Sequence, residues 1–383
     1  MGRRIDGYAA AMVIHDASGA TSDGHATTVV VGAGYAGLAA ALALRDEGID
    51  VLVLEASGRV GGRVLSEAVA ENLVIDHGGQ WVGPTQHRLL AAAQRFGCQT
   101  FPTYDAGTHV ELWADGQCRP FRGSGPVDGA GVQGYEAAIE LVDGMAATID
   151  LGDPTATEKL AEWDGQTVET FFERCVPDPD ARRRLTLSVQ SVWTTEPRDI
   201  SLFHYLFYVA SAGGYEQLME TEGCAQEFRF AEGAQSVARA MAAHLGDRVR
   251  LNSAVRHIRD DGRRVEIGTD DGTLTADHVV VAVSPAAAVR LRFTPELPHA
   301  RRRWMERCPM GDVAKIHTVY DRPFWRERGL SGQATVYGDP AVGVVFDNSP
   351  AAADVGVLVS FVYGERLQRW AELPAEQRRE IGR

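Results

Sequence analysis

The sequence holds only two lysines, Lys159 and Lys315; its other cations are arginines. With 38 Lys and Arg against 52 Asp and Glu, the formal net charge is −14. That balance argues against nucleic acid or an anionic membrane as partner, since both repel a polyanion. A cationic ligand such as an ammonium ion would be mildly attracted. Cysteine is sparse too. Cys98, Cys118, Cys175, Cys224 and Cys308 are odd in number, widely spread and without a CxxC pair. They read as free thiols in a reducing cytoplasm, neither a disulfide frame nor a metal site. The histidines also lack ligand spacing. No apolar run reaches the ~18–20 residues that a membrane helix needs. Arg3-Arg4 could suggest a twin-arginine export signal, but the apolar run Tyr8–Ile14 is short and ends in His15-Asp16, which points to a leader without structure. There is no Ser/His/Asp triad, no paired-carboxylate signature and no internal repeat.

What is present begins after that leader, residues 1–26. A chain of 383 residues is long for one ordinary domain, and 45% hydrophobic with 23% charged is a common globular mix. Thr27–Val31 is a β-branched run that predicts a buried strand. It meets Gly32-Ala33-Gly34-Tyr35-Ala36-Gly37, a GxGxxG turn, and an Ala/Leu-rich helix that stops at Gly48. Asp50–Leu54 predicts a second strand with Glu55 at its end. This is a βαβ dinucleotide fingerprint in its required context. Gly32 permits the tight turn, Gly34 lets backbone approach a pyrophosphate, and Gly37 lets helix and strand pack closely. The helix N-terminus offers N–H groups and partial positive charge to phosphates. Glu55 can accept both ribose hydroxyls of an adenosine and would repel a 2′-phosphate.

The fingerprint alone does not separate NAD from FAD. Arg59-Val60-Gly61-Gly62-Arg63 and then Asp76-His77-Gly78-Gly79-Gln80-Trp81-Val82-Gly83-Pro84-Thr85-Gln86 say more. An EAxxRxGGR run followed by D-x-GG-x-aromatic-x-GPTQ resembles the flavin-containing amine oxidases, the monoamine oxidase family. The resemblance implies FAD, bound through Gly32, Gly34, Ala36, Gly37, Glu55, Ala56, Arg63, Gly79, Gln80, Trp81 and Val255. Whether attachment is covalent is left open. Ser57 stands where an arginine is often found, so one phosphate or ribose contact would be missing. The implied fold class is α/β, with an α+β substrate domain: a Rossmann-like FAD-binding domain carrying an inserted substrate domain of sheet plus helices. Residues 27–100 and 230–300 would form the first, and 101–229 and 301–383 the second.

Between these motifs the periodicities predict a helix over 86–96, a hairpin over 104–123 turning at Asp115-Gly116, and mostly helix from 135 to 225. Thr167 is a plausible cap, and Pro177-Asp178-Pro179 breaks the chain before a helix resumes at Ala181. Strands are expected at 228–232, 249–251, 254–259, 264–268, 278–283, 312–320, 342–346 and 355–363, with Val313, Lys315, His317 and Val319 on one face.

Read alone, Lys315 is a strand lysine facing water, and Gln226 a loop glutamine. The resemblance gives both another part. Lys315, before the Pro323-Phe324-Trp325 run, matches the family lysine that holds a water near flavin N5 and assists reaction with oxygen. Gln226 matches a glutamine lining the substrate cavity, and Met219, Ser191, Val192 and Phe361 match other lining positions. The implied reaction is oxidation of a neutral primary amine to an imine and then an aldehyde, with O2 reduced to hydrogen peroxide. The partners would be a small amine and O2; a homodimer is compatible. An L-amino acid oxidase-like activity is the alternative within the superfamily, although no obvious cation for a carboxylate stands among the aligned positions. The family continues beyond the point matching Arg383, with an FAGTE-like strand and an aromatic pair. The expectation is therefore a truncated chain, and a catalytically inactive flavoprotein fragment is a second alternative.

Overall fold

The computed structural model describes residues 24–123, 125–129, 131–337, 341–352 and 354–381. Of the leader expected over 1–26, residues 1–23, with the Arg3-Arg4 pair, lie outside the described residues. Its last two residues already belong to a strand. The described chain divides into two compact units. One runs up to Gly62 and resumes over Ala238–Pro309; the other takes Arg63–Val237 and the residues from Met310 on. Residues 63–100, expected with the first domain, thus fall in the second unit.

The first unit is built on a seven-stranded sheet. β1 (His25–Val31) pairs in parallel with β2 (Val51–Leu54) on one side and with Gly272–Val281 on the other. Parallel neighbours need a crossover, and α1 (Tyr35–Asp46) supplies it. A strand buried on both faces carries no polar alternation, and β2 is buried at all four of its positions. Val265–Thr269 then pairs antiparallel with Gly272–Val281, and Val255–Asp260 antiparallel with Val265–Thr269, the turn at Asp271-Gly272 feeding straight into Gly272–Val281. The strand starts at Gly272, well before the expected 278, because the hairpin pairs all the way to the turn. Val29, Val31, Leu52, Leu54, Ile258 and Ile267 form one apolar cluster beneath the sheet. Each such side chain contributes about 1.5–3 kcal/mol by leaving water.

The second unit joins a sheet to a helical layer. The six-stranded sheet has the order Val313–Tyr320, Gly356–Tyr363, Val344–Asp347, Leu330–Val336, Thr108–Leu112, Cys118–Phe121. The strand of Lys315 therefore lies at one edge, antiparallel to Gly356–Tyr363, with Lys315 opposite Phe361. The helical layer packs Val142, Phe171, Phe172, Leu185, Leu202, Tyr205 and Leu206 into its own core. Its helix Pro179–Trp193 begins earlier than Ala181. Proline is well suited to the first helical position, and Asp178 caps it by accepting from the N–H groups of Asp180 and Ala181 at 2.8 and 3.3 Å. A short sheet of three strands sets Phe228–Phe230 between Trp81–Val82 and Thr100–Pro102.

Candidate active site

In the first unit, the turn between β1 and α1 is nearly bare backbone. Gly32 has φ +105°, which an L side chain rarely adopts. At Gly37 a Cβ would sit 1.9 Å from the Gly32 carbonyl oxygen, so only glycine lets the helix start this close to the strand. Gly34 stands at the N-cap without a side-chain cap, and the first turn of α1 holds no acidic residue. The second glycine turn closes on the first: Gly61 donates its N–H to the Ala33 carbonyl at 2.8 Å, and Gly34 bridges Gly61. Two glycine-rich turns thus meet at a helix N-terminus, a place suited to phosphate oxygens.

Glu55 leaves the end of β2 with its carboxylate fixed by three donors. Oε2 accepts from the Ala33 N–H at 2.8 Å; Oε1 accepts from the Ser57 N–H at 2.9 Å and from the Ser57 hydroxyl at 2.7 Å. Ser57 therefore acts as an orienter of Glu55. Arg59 folds back and donates to the Val60 and Gly62 carbonyls, stiffening its own loop. Ala36 and Ala56 are exposed beside these turns, and Val255 is buried in its strand.

The second unit holds a different chemistry. Lys315 points to the segment just after Leu73–Asp76. Its Nζ donates to the Asp76 carbonyl at 3.0 Å, the Gly78 carbonyl at 2.6 Å and Gln80 Oε1 at 2.5 Å. The same nitrogen lies 5.8 Å from the centroid of the Trp81 ring and 5.4 Å from that of Phe361, within reach of cation–π attraction. Trp81 in turn lies edge-on to Phe346 at 5.0 Å and tilted to Phe361 at 5.8 Å. Burial disfavours the charged form here, and the Lys315 amine is pulled down to about 7; the nearby Asp76 opposes the shift and Arg229 adds to it. Asp76 is itself raised by burial, although Ser66 and the Ala234 N–H hydrogen-bond its carboxylate. His317, two residues on, falls to about 3 through burial and then the Lys315 charge, and so is a neutral imidazole.

The structure brings together Lys315, Gln80, Trp81 and Phe361, with Gly79 next along the chain. It gathers Ser191, Val192 and Met219 elsewhere in the same unit, at the helical layer. Ser191 Oγ donates to the Ser188 carbonyl at 2.9 Å, while Val192 and Met219 lie against the helical core. Gln226 donates its Nε2 to the Leu218 carbonyl at 3.0 Å and leaves Oε1 buried without a partner. Arg63 is exposed. One polar residue escaped the sequence: Asn348, 1% exposed, whose Oδ1 accepts from Gln80 Nε2 at 2.9 Å. The only local sign of it is a polar run, Asp347-Asn348-Ser349, directly after an apolar strand.

The family model for flavin containing amine oxidoreductase matches residues 35–383. The putrescine oxidase of Kocuria rosea is 36% identical over 368 residues, covering 92% of this chain and 76% of that protein. A flavin-containing amine oxidase of Danio rerio is 32% identical over 355 residues, covering 92% and 68%. Among solved structures, putrescine oxidase bound to putrescine superposes with a TM-score of 0.87 at 32% identity, covering 92% of this chain and 79% of that one.

Proposed function

Because the chain belongs to the flavin-containing amine oxidoreductase family, it is an oxidoreductase with FAD as its cofactor, and we propose that it oxidises a primary amine to an imine, which water converts to aldehyde and ammonia, while O2 becomes hydrogen peroxide. The residues present fit the cofactor. The space that a Cβ would fill at Gly37 is already closed against Gly32, and the uncapped helix start beside it offers backbone, not side chain, to a pyrophosphate. FAD supplies an acceptor for the hydride equivalent from the amine α-carbon and a donor of two electrons to oxygen.

The chain's own residues do the rest. The turns at Gly32, Gly34, Ala36 and Gly37 would hold the phosphates, and Glu55 with Ala56 the ribose. Arg63, Gly79, Gln80, Trp81 and Val255 complete the cofactor set. Gln226, Met219, Ser191, Val192 and Phe361 would line the amine cavity and keep it dry, so that the amine reacts in its neutral form. Lys315 serves the oxygen half of the reaction by charge and positioning. That burial of Lys315 against three oxygens and two aromatic rings is the observation that carries the reading. A reducing cytoplasm suits the five free cysteines, and no helix among the described residues is long and apolar enough to cross a membrane.

The test is a peroxide assay over monoamines, diamines and L-amino acids on the FAD-loaded protein. Amine-dependent peroxide is expected. In Lys315→Met, reoxidation by O2 should slow by about tenfold or more while anaerobic reduction by amine changes less. A yellow protein inert to every amine would leave a flavin-binding chain without this activity, and turnover of amino acids alone would favour the L-amino acid oxidase reading.

A further inference from the structure

Lys315 meets its three acceptors unequally. Two are backbone carbonyls, Asp76 and Gly78, fixed by the chain; the third is the side-chain amide of Gln80. An amide can turn over, and turned over it would offer an NH2 group to the lysine instead of an oxygen. What prevents this is Asn348, whose Oδ1 takes the Gln80 Nε2–H at 2.9 Å. Asn348 is held in turn: its backbone N–H donates to the Val357 carbonyl at 2.7 Å, and its Nδ2 lies 3.5 Å from His317 Nδ1. Gln80 and Asn348 are 2% and 1% exposed, so water does not substitute for either.

We propose that Gln80 and Asn348 are positioning residues for Lys315: Asn348 fixes the orientation of the Gln80 amide, and the oriented Gln80 oxygen holds Lys315 as a three-fold donor. The inference rests on the oxygen role given to Lys315 above. The logic is one of donor count. An ammonium has three N–H groups and meets three oxygens here. A neutral amine has two N–H groups and a lone pair, which would face one of those oxygens. Gln80 is the one acceptor able to reverse, and it can do so only if Asn348 reverses with it. Protonation of Lys315 and orientation of the two amides are therefore one coupled state. The other charged and titratable groups around Lys315 are Asp76, which favours the cation, and Arg229, which disfavours it. His317 stays neutral, and His77 beside it pairs with Glu67 at 2.9 Å.

The experiment uses the small number of lysines. With 13Cε-labelled lysine the full chain gives two side-chain signals, assigned by Lys159→Arg, and Lys315 is titrated directly. In the unaltered protein the side-chain amide resonances of Gln80 and Asn348 should move with the same midpoint as Lys315. In Asn348→Leu the Lys315 midpoint should fall by about one pH unit, because the oxygen is no longer held toward the cation. The pH at which O2 reoxidation declines should move with it. Amide resonances that stay flat, or an unmoved Lys315 midpoint in a folded Asn348→Leu protein, would overturn the proposal; the first needs no substitution and decides the matter if the variant fails to fold. A Lys315→Met protein that reoxidises at the unaltered rate is a different failure, removing the oxygen role and leaving the clamp to the titration.

Discussion

At the scale of single residues, the site divides into what neighbours in sequence determine and what they do not. Gly32, Gly34, Gly37 and Glu55 were legible because their placement follows from spacing: a strand, a turn of fixed length, a helix and an acid. Asn348 was not, because it meets Gln80 across 268 residues and nothing local specifies that contact. Gly37 offers a sharp test of the legible part. In Gly37→Ala the new Cβ would lie 1.9 Å from a backbone oxygen, so strand and helix must part. Overpacking of this kind costs about 1–3 kcal/mol. FAD affinity, read by flavin fluorescence, should fall together with Tm; unchanged affinity would detach the turn from the cofactor. Lys315 gives a second residue-scale test. Its ordinary value is 10.5 and its folded value about 7, so between those pH values the unfolded chain binds a proton that the folded chain has released. Stability therefore rises with pH across that window, and the cost of burying the cation is complete below it. Lys315→Met should flatten this dependence in denaturant titrations from pH 7 to about 10. Parallel curves for the two proteins would mean that the amine is not desolvated as the structure shows.

At the scale of elements, caps and turns carried most of what could be read. Thr167 stands at the N-cap of Val168–Cys175 and accepts the Thr170 N–H at 3.2 Å, as its place before the apolar run suggested. Thr167→Ala should cost about 1 kcal/mol by equilibrium unfolding, and no loss would show that the cap is replaced by water. The hairpin over Thr108–Leu112 and Cys118–Phe121 likewise follows from its turn. Elements of two or three residues were harder. Trp81–Val82 and Thr100–Pro102 are too short to show a period, and they exist as strands only because each pairs with Phe228–Phe230. Glycine and proline punctuation marked where elements stop, but not which stretch of sheet a distant segment would join. The pair Lys315 and Phe361 shows the difference: both strands were expected, that of Lys315 by its alternation, while their register across the edge of the sheet was not.

At the scale of the whole molecule, the surplus of 14 negative charges acts where single residues cannot. A field of that sign raises the encounter rate of a cation and is screened within about 8 Å at physiological salt. The proposed substrate is an ammonium ion in solution at neutral pH and a neutral amine only once bound. Its capture should therefore depend on ionic strength even though the chemical step does not. Raising salt from about 10 mM to about 300 mM should lower kcat/KM for a strongly basic amine several-fold and leave kcat nearly unchanged. A weakly basic amine, mostly neutral at the assay pH, should show little change and serves as the control. If both amines respond alike, salt is acting on the protein and not on the approach of the cation. The acidic balance would then be a property of solubility alone. If only the basic amine responds, a feature read from composition at the outset becomes part of how the substrate is gathered, which no single residue of the site would have revealed.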